Sequence, residues 1–246
     1  MTVWAVALKE LVLYFTSFLF YVVAAIFLVL SGYFFYTNLG FFLLNGGMDM
    51  PRGLWQWQFF DMQRVLLALV PLLTMRLFAE ERRLGTLELL WTYPARDLEI
   101  IAGKYVACLA VLGVMIAATL LYPVLLLPFT PVSAGPLMTG YLGIWLLAAA
   151  FTACGLFISA LTDSQLVAGA VTYGVLLFFW VLTWNEAAVN EVTRNLLLPF
   201  SLFDRFILFA RGAVDTRDVV YLLLFSVAFL WFTFFALDSR RWRGLR

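Results

Sequence analysis

No charged residue occurs between Lys104 and Asp163, an uninterrupted run of 58 residues. As one helix the run would be about 87 Å long at ~1.5 Å per residue. The hydrocarbon core of a bilayer is about 30 Å thick, so the run divides into two spans and a hairpin. The hairpin falls at Leu127–Leu137, where Pro128, Pro131, Gly135 and Pro136 cluster and proline cannot continue a helical ladder. Spans three and four are then Tyr105–Leu127 and Leu137–Leu161. Leu11–Met48 is also uncharged and supplies span one, as far as Tyr36, while Leu166–Trp184 and Val219–Leu237 supply spans five and six. Only Val65–Met75 is uncharged between Arg64 and Arg76, too short to cross, so span two is predicted from near Phe59 to Phe78. That puts Asp61 and Arg64, three apart on one helix face, at the outer headgroup level as an ion pair.

Composition narrows the function. The chain is 64% hydrophobic and 13% charged, against roughly 45–50% and about 25% in soluble domains, which excludes a water-soluble globule. A formal charge of +1 with no basic face gives nucleic acid nothing to bind. Histidine is absent and lysine occurs only at Lys9 and Lys104, so imidazole and most lysine chemistry are unavailable, and no enzymatic activity is expected. Cys108 and Cys154 lie in apolar stretches without metal-ligand spacing, and no metal or cofactor is expected in the chain. No Gly-x-x-x-x-Gly-Lys-Ser/Thr loop is present, so the chain cannot itself bind and split ATP; ATP and magnesium would belong to a partner ATPase. A secondary transporter is disfavoured, because no ionisable residue falls inside the other five predicted spans.

With a cytoplasmic amino terminus, ten of the sixteen Lys and Arg residues lie inside and six outside. Both termini are then cytoplasmic, and Arg240-Arg241-Trp242-Arg243 anchors the last span. An N-terminal signal peptide is not expected, because the apolar stretch is too long and has no small-residue cleavage site. Residues 1–15 place Trp4, Leu8, Leu11, Val12 and Phe15 on one helical face, which fits either an interfacial helix or an extension of span one. In the cytoplasmic segment 76–104, Gly85 can break the helix that leaves span two, and Thr86–Trp91 can form a short helix with an apolar side. Pro94 opens a new helix with Asp97 and Glu99 near its positive end, so the short helix is held crosswise beneath the membrane. An ordinary solvated loop is the alternative. In the external segment 185–218, Ser201 and Asp204 have the spacing of a capping box for a helix that ends near Arg211, with Gly212 behind it.

The segment around Gly85 also resembles the permease subunits of type-2 ABC exporters, which carry Glu-x-x-x-Gly-Thr-Leu-Glu-Leu-Leu, then proline, then Gly-Lys. Here those positions are Glu81, Gly85, Thr86, Leu87, Glu88, Leu89, Leu90, Pro94, Gly103 and Lys104. Lys9-Glu10-Leu11 with Tyr14 to Ser17 looks like the family's entry helix, and Arg211-Gly212-Ala213-Val214-Asp215 with Arg217-Asp218 is similar to its approach to the last span. The resemblance covers nearly the whole chain. The gliding-motility type of permease is the nearest pattern, and the permease of nitrous-oxide-reductase (copper site) maturation is second.

The resemblance implies an all-α permease domain over 1–246 in the bacterial inner membrane, with six transmembrane helices, an interfacial helix, a cytoplasmic coupling helix and an external helical hairpin. A surface helix sealing the bundle is the alternative to the hairpin. Coupling to cytoplasmic ABC ATPase subunits would involve Glu80, Glu81, Arg82, Gly85, Thr86, Leu87, Glu88 and Leu90. Six spans leave little material to enclose a path, so a second permease chain, in a homo- or heterodimer, is expected, and a membrane-anchored periplasmic auxiliary protein is a further candidate partner. Thr119, Tyr122, Thr152, Ser159, Thr172, Tyr173 and Thr183 are polar groups able to line a path or merely to join helices. The competing functional reading is a non-transporting anchor that passes ATPase strokes to an extracytoplasmic partner.

Overall fold

A computed structural model describes residues 3–44, 50–85, 96–129, 133–181 and 201–243. Among the described residues ten helices run in the order α1 (Val3–Thr16), α2 (Phe18–Leu44), α3 (Met50–Thr74), α4 (Ala79–Arg83), α5 (Asp97–Ala118), α6 (Leu121–Leu126), α7 (Ala134–Leu161), α8 (Gln165–Val181), α9 (Leu202–Ala210) and α10 (Thr216–Arg243). No strand occurs among the described residues. Five stretches are long and apolar enough to cross a membrane: Phe18–Leu44, Gly53–Arg83, Asp97–Leu126, Ala134–Leu161 and Thr216–Ser239. The predicted fifth span corresponds to the 17-residue α8, and residues 182–184 lie outside the described residues.

Three predicted boundaries are corrected. Span one does not run on from Leu11, because the chain breaks at Ser17, where Ser17 N–H turns back to Tyr14 O (3.1 Å) and a separate α2 begins. The second span begins at Met50 rather than Phe59, so Asp61 lies near the middle of α3, eleven residues from its start. A charge-based count stops at Asp61, whereas the first turns of α3 are polar only in part: Leu54, Trp55 and Gln58 are buried, and Gln58 donates to Ser31 O of α2 (3.2 Å). Span three, predicted unbroken to Leu127, interrupts after Ala118. Pro123 has no N–H for the carbonyl of Thr119, which Tyr122 N–H bonds instead (3.1 Å).

The core is built on α7, which packs against α3, α5, α8, α9 and α10. Helices α3 and α7 run parallel: Phe59 meets Gly140, Thr74 meets Gly155 and Phe78 meets Ser159, each pair 81 residues apart. A Cβ on Gly140 would come within 2.0 Å of the Phe59 ring and one on Gly155 within 2.2 Å of Thr74 Oγ1, so both glycines are needed for close approach. Outer helices behave differently. The membrane-length windows of α3 and α7 are 78% buried, those of α2 and α10 only 22% and 17%, although all are apolar. Helices apolar all round and exposed on most of their surface require a lipid solvent. In α1 the pattern is inverted. Trp4, Leu8, Val12 and Phe15 face outward, while Glu10 is buried with Val6, Ala7 and Tyr14.

Candidate functional site

The elbow that follows α3 gathers eight charged groups: Lys9, Glu10, Arg76, Glu80, Glu81, Arg82, Lys104 and Asp163. Helix α3 tolerates Pro71 but ends at Thr74, and the backbone turns through residues 75–78 into α4. One hydroxyl from α7 secures this turn: Ser159 Oγ accepts from Phe78 N–H and Ala79 N–H, both 3.1 Å, and donates to Met75 O (3.2 Å). Three backbone groups of a buried helix end are thereby satisfied from a neighbouring helix.

Glu81 of α4 points inward. Its Oε1 lies 2.9 Å from Lys104 Nζ, which also donates to Glu10 Oε1 at 2.9 Å and sits 5.2 Å from the centre of the Phe78 ring. Lys9 Nζ closes the cluster at 3.5 Å from Glu81 and 3.9 Å from Glu10. The chain's only two lysines thus meet two glutamates in a neutral knot, with the Lys104 side chain 2% exposed and Glu10 8%. A buried ammonium costs several kcal/mol in isolation and persists because both carboxylates hold it. Gly103 makes the arrangement possible: a Cβ there would sit 2.6 Å from Val6, so α1 lies close enough on α5 for Glu10 to reach Lys104.

Two arginines secure α4 on its other sides. Arg82 donates to the carbonyls of Ala160 and Thr162, the latter at 3.4 Å, and pairs with Asp163 at 3.1 Å, fixing α4 to the turn between α7 and α8. Arg76 donates to Ser17 Oγ (3.0 Å) at the α1–α2 break and lies 4.0 Å from Glu80. Gly85 then takes φ +68°, a left-handed conformation that suits glycine and ends α4. Of the predicted coupling residues, Glu81 and Arg82 are therefore turned into the bundle, Glu80 is part-exposed, and Thr86, Leu87, Glu88 and Leu90 lie outside the described residues.

Sequence reasoning missed Glu10 and Lys104 as partners of Glu81, and the role of Ser159. The available signal was the scarcity of lysine, since both lysines of the chain fall beside glutamates of one cluster. Midway along α3, Arg64 pairs with Asp61 Oδ1 and Asn38 Nδ2 of α2 donates to Asp61 Oδ2 (2.9 Å). Asp61 is buried, and the Arg64 side chain is 46% exposed. Three of the seven suspected path-lining residues bond within their own helices, Thr152 to Ala148 O (2.7 Å), Thr172 to Ala168 O (2.7 Å) and Thr119 to Ile116 O (2.6 Å), and Thr119 also meets the Tyr141 hydroxyl (3.1 Å). In α9, Asp204 N–H donates to Ser201 Oγ (3.2 Å), and Gly212 behind the helix has φ +90°.

Residues 4–238 match the family model described as ABC-2 family transporter protein. No curated protein matches the chain. The match is to the family as a whole and selects neither the gliding-motility type nor the nitrous-oxide-reductase type. A bundle of membrane-length helices built around a charged elbow, with the family pattern over nearly its whole length, makes the chain a multi-pass membrane protein that belongs to the ABC-2 transporter family.

Proposed function

We propose that this chain is the permease of an ATP-driven exporter, dimeric in the inner membrane with both termini cytoplasmic, and that separate ATPase subunits drive it through residues 86–91. The observation that carries the reading is the knot of Lys9, Glu10, Glu81 and Lys104 immediately before that segment. A stroke delivered next to Gly85 would reach α1 and α5 through Glu81, the α7–α8 turn through Arg82, and α7 through Ser159. Pushing on a rigid joint moves whole helices, whereas pushing on a solvated loop dissipates the motion. Leu87 and Leu90, three apart, would fill a groove on the ATPase, and Glu88 would pair with a basic residue there.

The test is co-purification and stimulation of the ATPase subunit. Glu88→Arg is expected to abolish both while the permease still inserts and dimerises. Undiminished binding and activity in both Glu88→Arg and Leu87→Asp would remove the segment from the mechanism. Vesicle flux then separates export from force transmission: ATP-dependent accumulation supports export, and turnover without flux supports an anchor.

A further inference from the structure

A cavity of about 500 Å³ opens between α1, the start of α2, and the elbow. Its polar rim carries Lys9, Ser17, Arg76 and Glu80, and its wall includes Leu13 and Phe20. Lys9 is 51% exposed, Arg76 34% and Glu80 39%, so three charged groups stand at the mouth. Behind them, Glu10, Glu81 and Lys104 are already committed to one another, and with Lys9 they sum to zero. That leaves one cation and one anion, Arg76 and Glu80, to face whatever enters. The Arg76 Nε is buried without a hydrogen-bond partner, and Glu80 stands 4.0 Å from it, beyond hydrogen-bond distance. The same two helices present Val12, Phe15 and Phe18 outward at 61%, 41% and 82% exposure, a surface for acyl chains beside a charged mouth.

We infer that this cavity holds the headgroup of a zwitterionic phospholipid bearing a primary ammonium, a phosphatidylethanolamine of the adjoining leaflet. Its phosphate accepts from Arg76, its ammonium donates to Glu80, and its glycerol lies on Leu13 and Phe20. A purely anionic headgroup would satisfy Arg76 but bring a second negative charge to Glu80. A choline headgroup would offer Glu80 a cation with no N–H to donate. The site goes beyond the coupling reading and does not depend on it, because a bound lipid is detected without any ATPase.

The test is native mass spectrometry of the purified chain in detergent, with phosphatidylethanolamine, phosphatidylcholine and phosphatidylglycerol of identical acyl chains at equal mole fraction. The ethanolamine lipid is expected to be retained about five-fold over the other two, the worth of one charge-assisted contact at a part-exposed site. Glu80→Gln should equalise the ethanolamine and choline lipids and raise retention of the glycerol lipid. Leu13→Trp, at a residue 52% exposed and therefore safe for folding, should fill the cavity and reduce ethanolamine-lipid retention several-fold without changing charge. Equal retention of all three lipids by the unmodified chain, a preference for phosphatidylglycerol, or an unchanged ethanolamine preference in both variants would overturn the site.

Discussion

The elbow after α3 and the middle of α3 both carry buried carboxylates, but the two are built differently. At the elbow, Glu81 meets a lysine from α5 and a lysine from α1, the former shared with Glu10 of α1, and no member of the knot except Lys9 is more than 14% exposed. Midway along α3, Asp61 is paired mainly within its own helix, to Arg64 one turn away, with a single contact from Asn38. A cluster that draws on three helices fixes their relative positions, whereas a pair within one helix orients that helix. On the proposed reading, rigid transmission falls to the elbow and the orienting of α3 to the Asp61–Arg64 pair.

The comparison breaks most visibly at Lys104. Lys104→Met takes the buried cation from between Glu10 and Glu81, and is expected to cost about 3–5 kcal/mol. Thermal unfolding in detergent should show it, and so should labelling of Cys108, one helical turn away and fully buried. Adding Glu10→Gln and Glu81→Gln to the same chain should recover most of the loss, because the charge that remains in the cluster, Lys9, is 51% exposed. A single Lys104→Met variant as stable as the parent would contradict the knot.

At the Asp61–Arg64 pair the effect should be smaller and asymmetric. Arg64→Gln strands a buried carboxylate and is expected to cost about 2–3 kcal/mol, while Asp61→Asn leaves a part-exposed guanidinium and costs less. The double variant should be milder than Arg64→Gln alone, and simple additivity in the cycle would mean the two do not interact.

Two further changes separate the parts of the elbow. Arg82→Gln removes the contacts to Ala160, Thr162 and Asp163 and is expected to cost about 1.5–2 kcal/mol. Hydrogen exchange should then rise at residues 79–83 and 160–163 while the Glu10–Lys104 side stays protected. Gly85→Ala places a Cβ at φ +68°, for a cost of about 1 kcal/mol, and should show only as local exchange at the end of α4, since none of the described residues lies within 4 Å of that position.

How far the sequence could be read depended on how local the determinant was. Charge-free runs and proline clusters are local, and α7 begins behind Pro128 and Pro131, at Ala134 rather than the predicted Leu137, because Pro136 fits the first turn of a helix, where no N–H is required of it. The Ser201–Asp204 cap and the breaks at Gly85 and Gly212 are also local, each set by a few residues and by backbone conformation. The start of α3 was hidden because Trp55, Gln58 and Asp61 look interfacial when counted by polarity, yet are buried and meet Phe35, Ser31 and Asn38 of α2. Nor does an amphipathic plot identify the buried side of α1: in lipid the apolar stripe faces outward and Glu10 faces in. The knot itself was not legible, since Glu10 and Lys104 are 94 residues apart and meet only because Gly103 lets α1 lie on α5.

Site-directed cross-linking tests most directly whether the segment after the elbow, and not the first half of α3 that leads to Asp61, engages the ATPase. In a chain with Cys108 and Cys154 changed to alanine, single cysteines at Leu87 and at Trp57, the latter 50% exposed, are compared in vesicles that contain the assembled, ATP-hydrolysing complex. The account predicts a cross-link from position 87 to the ATPase subunit whose yield changes on adding ATP, and none from position 57. A functional complex that gives no cross-link at 87, or gives one at 57, would contradict it.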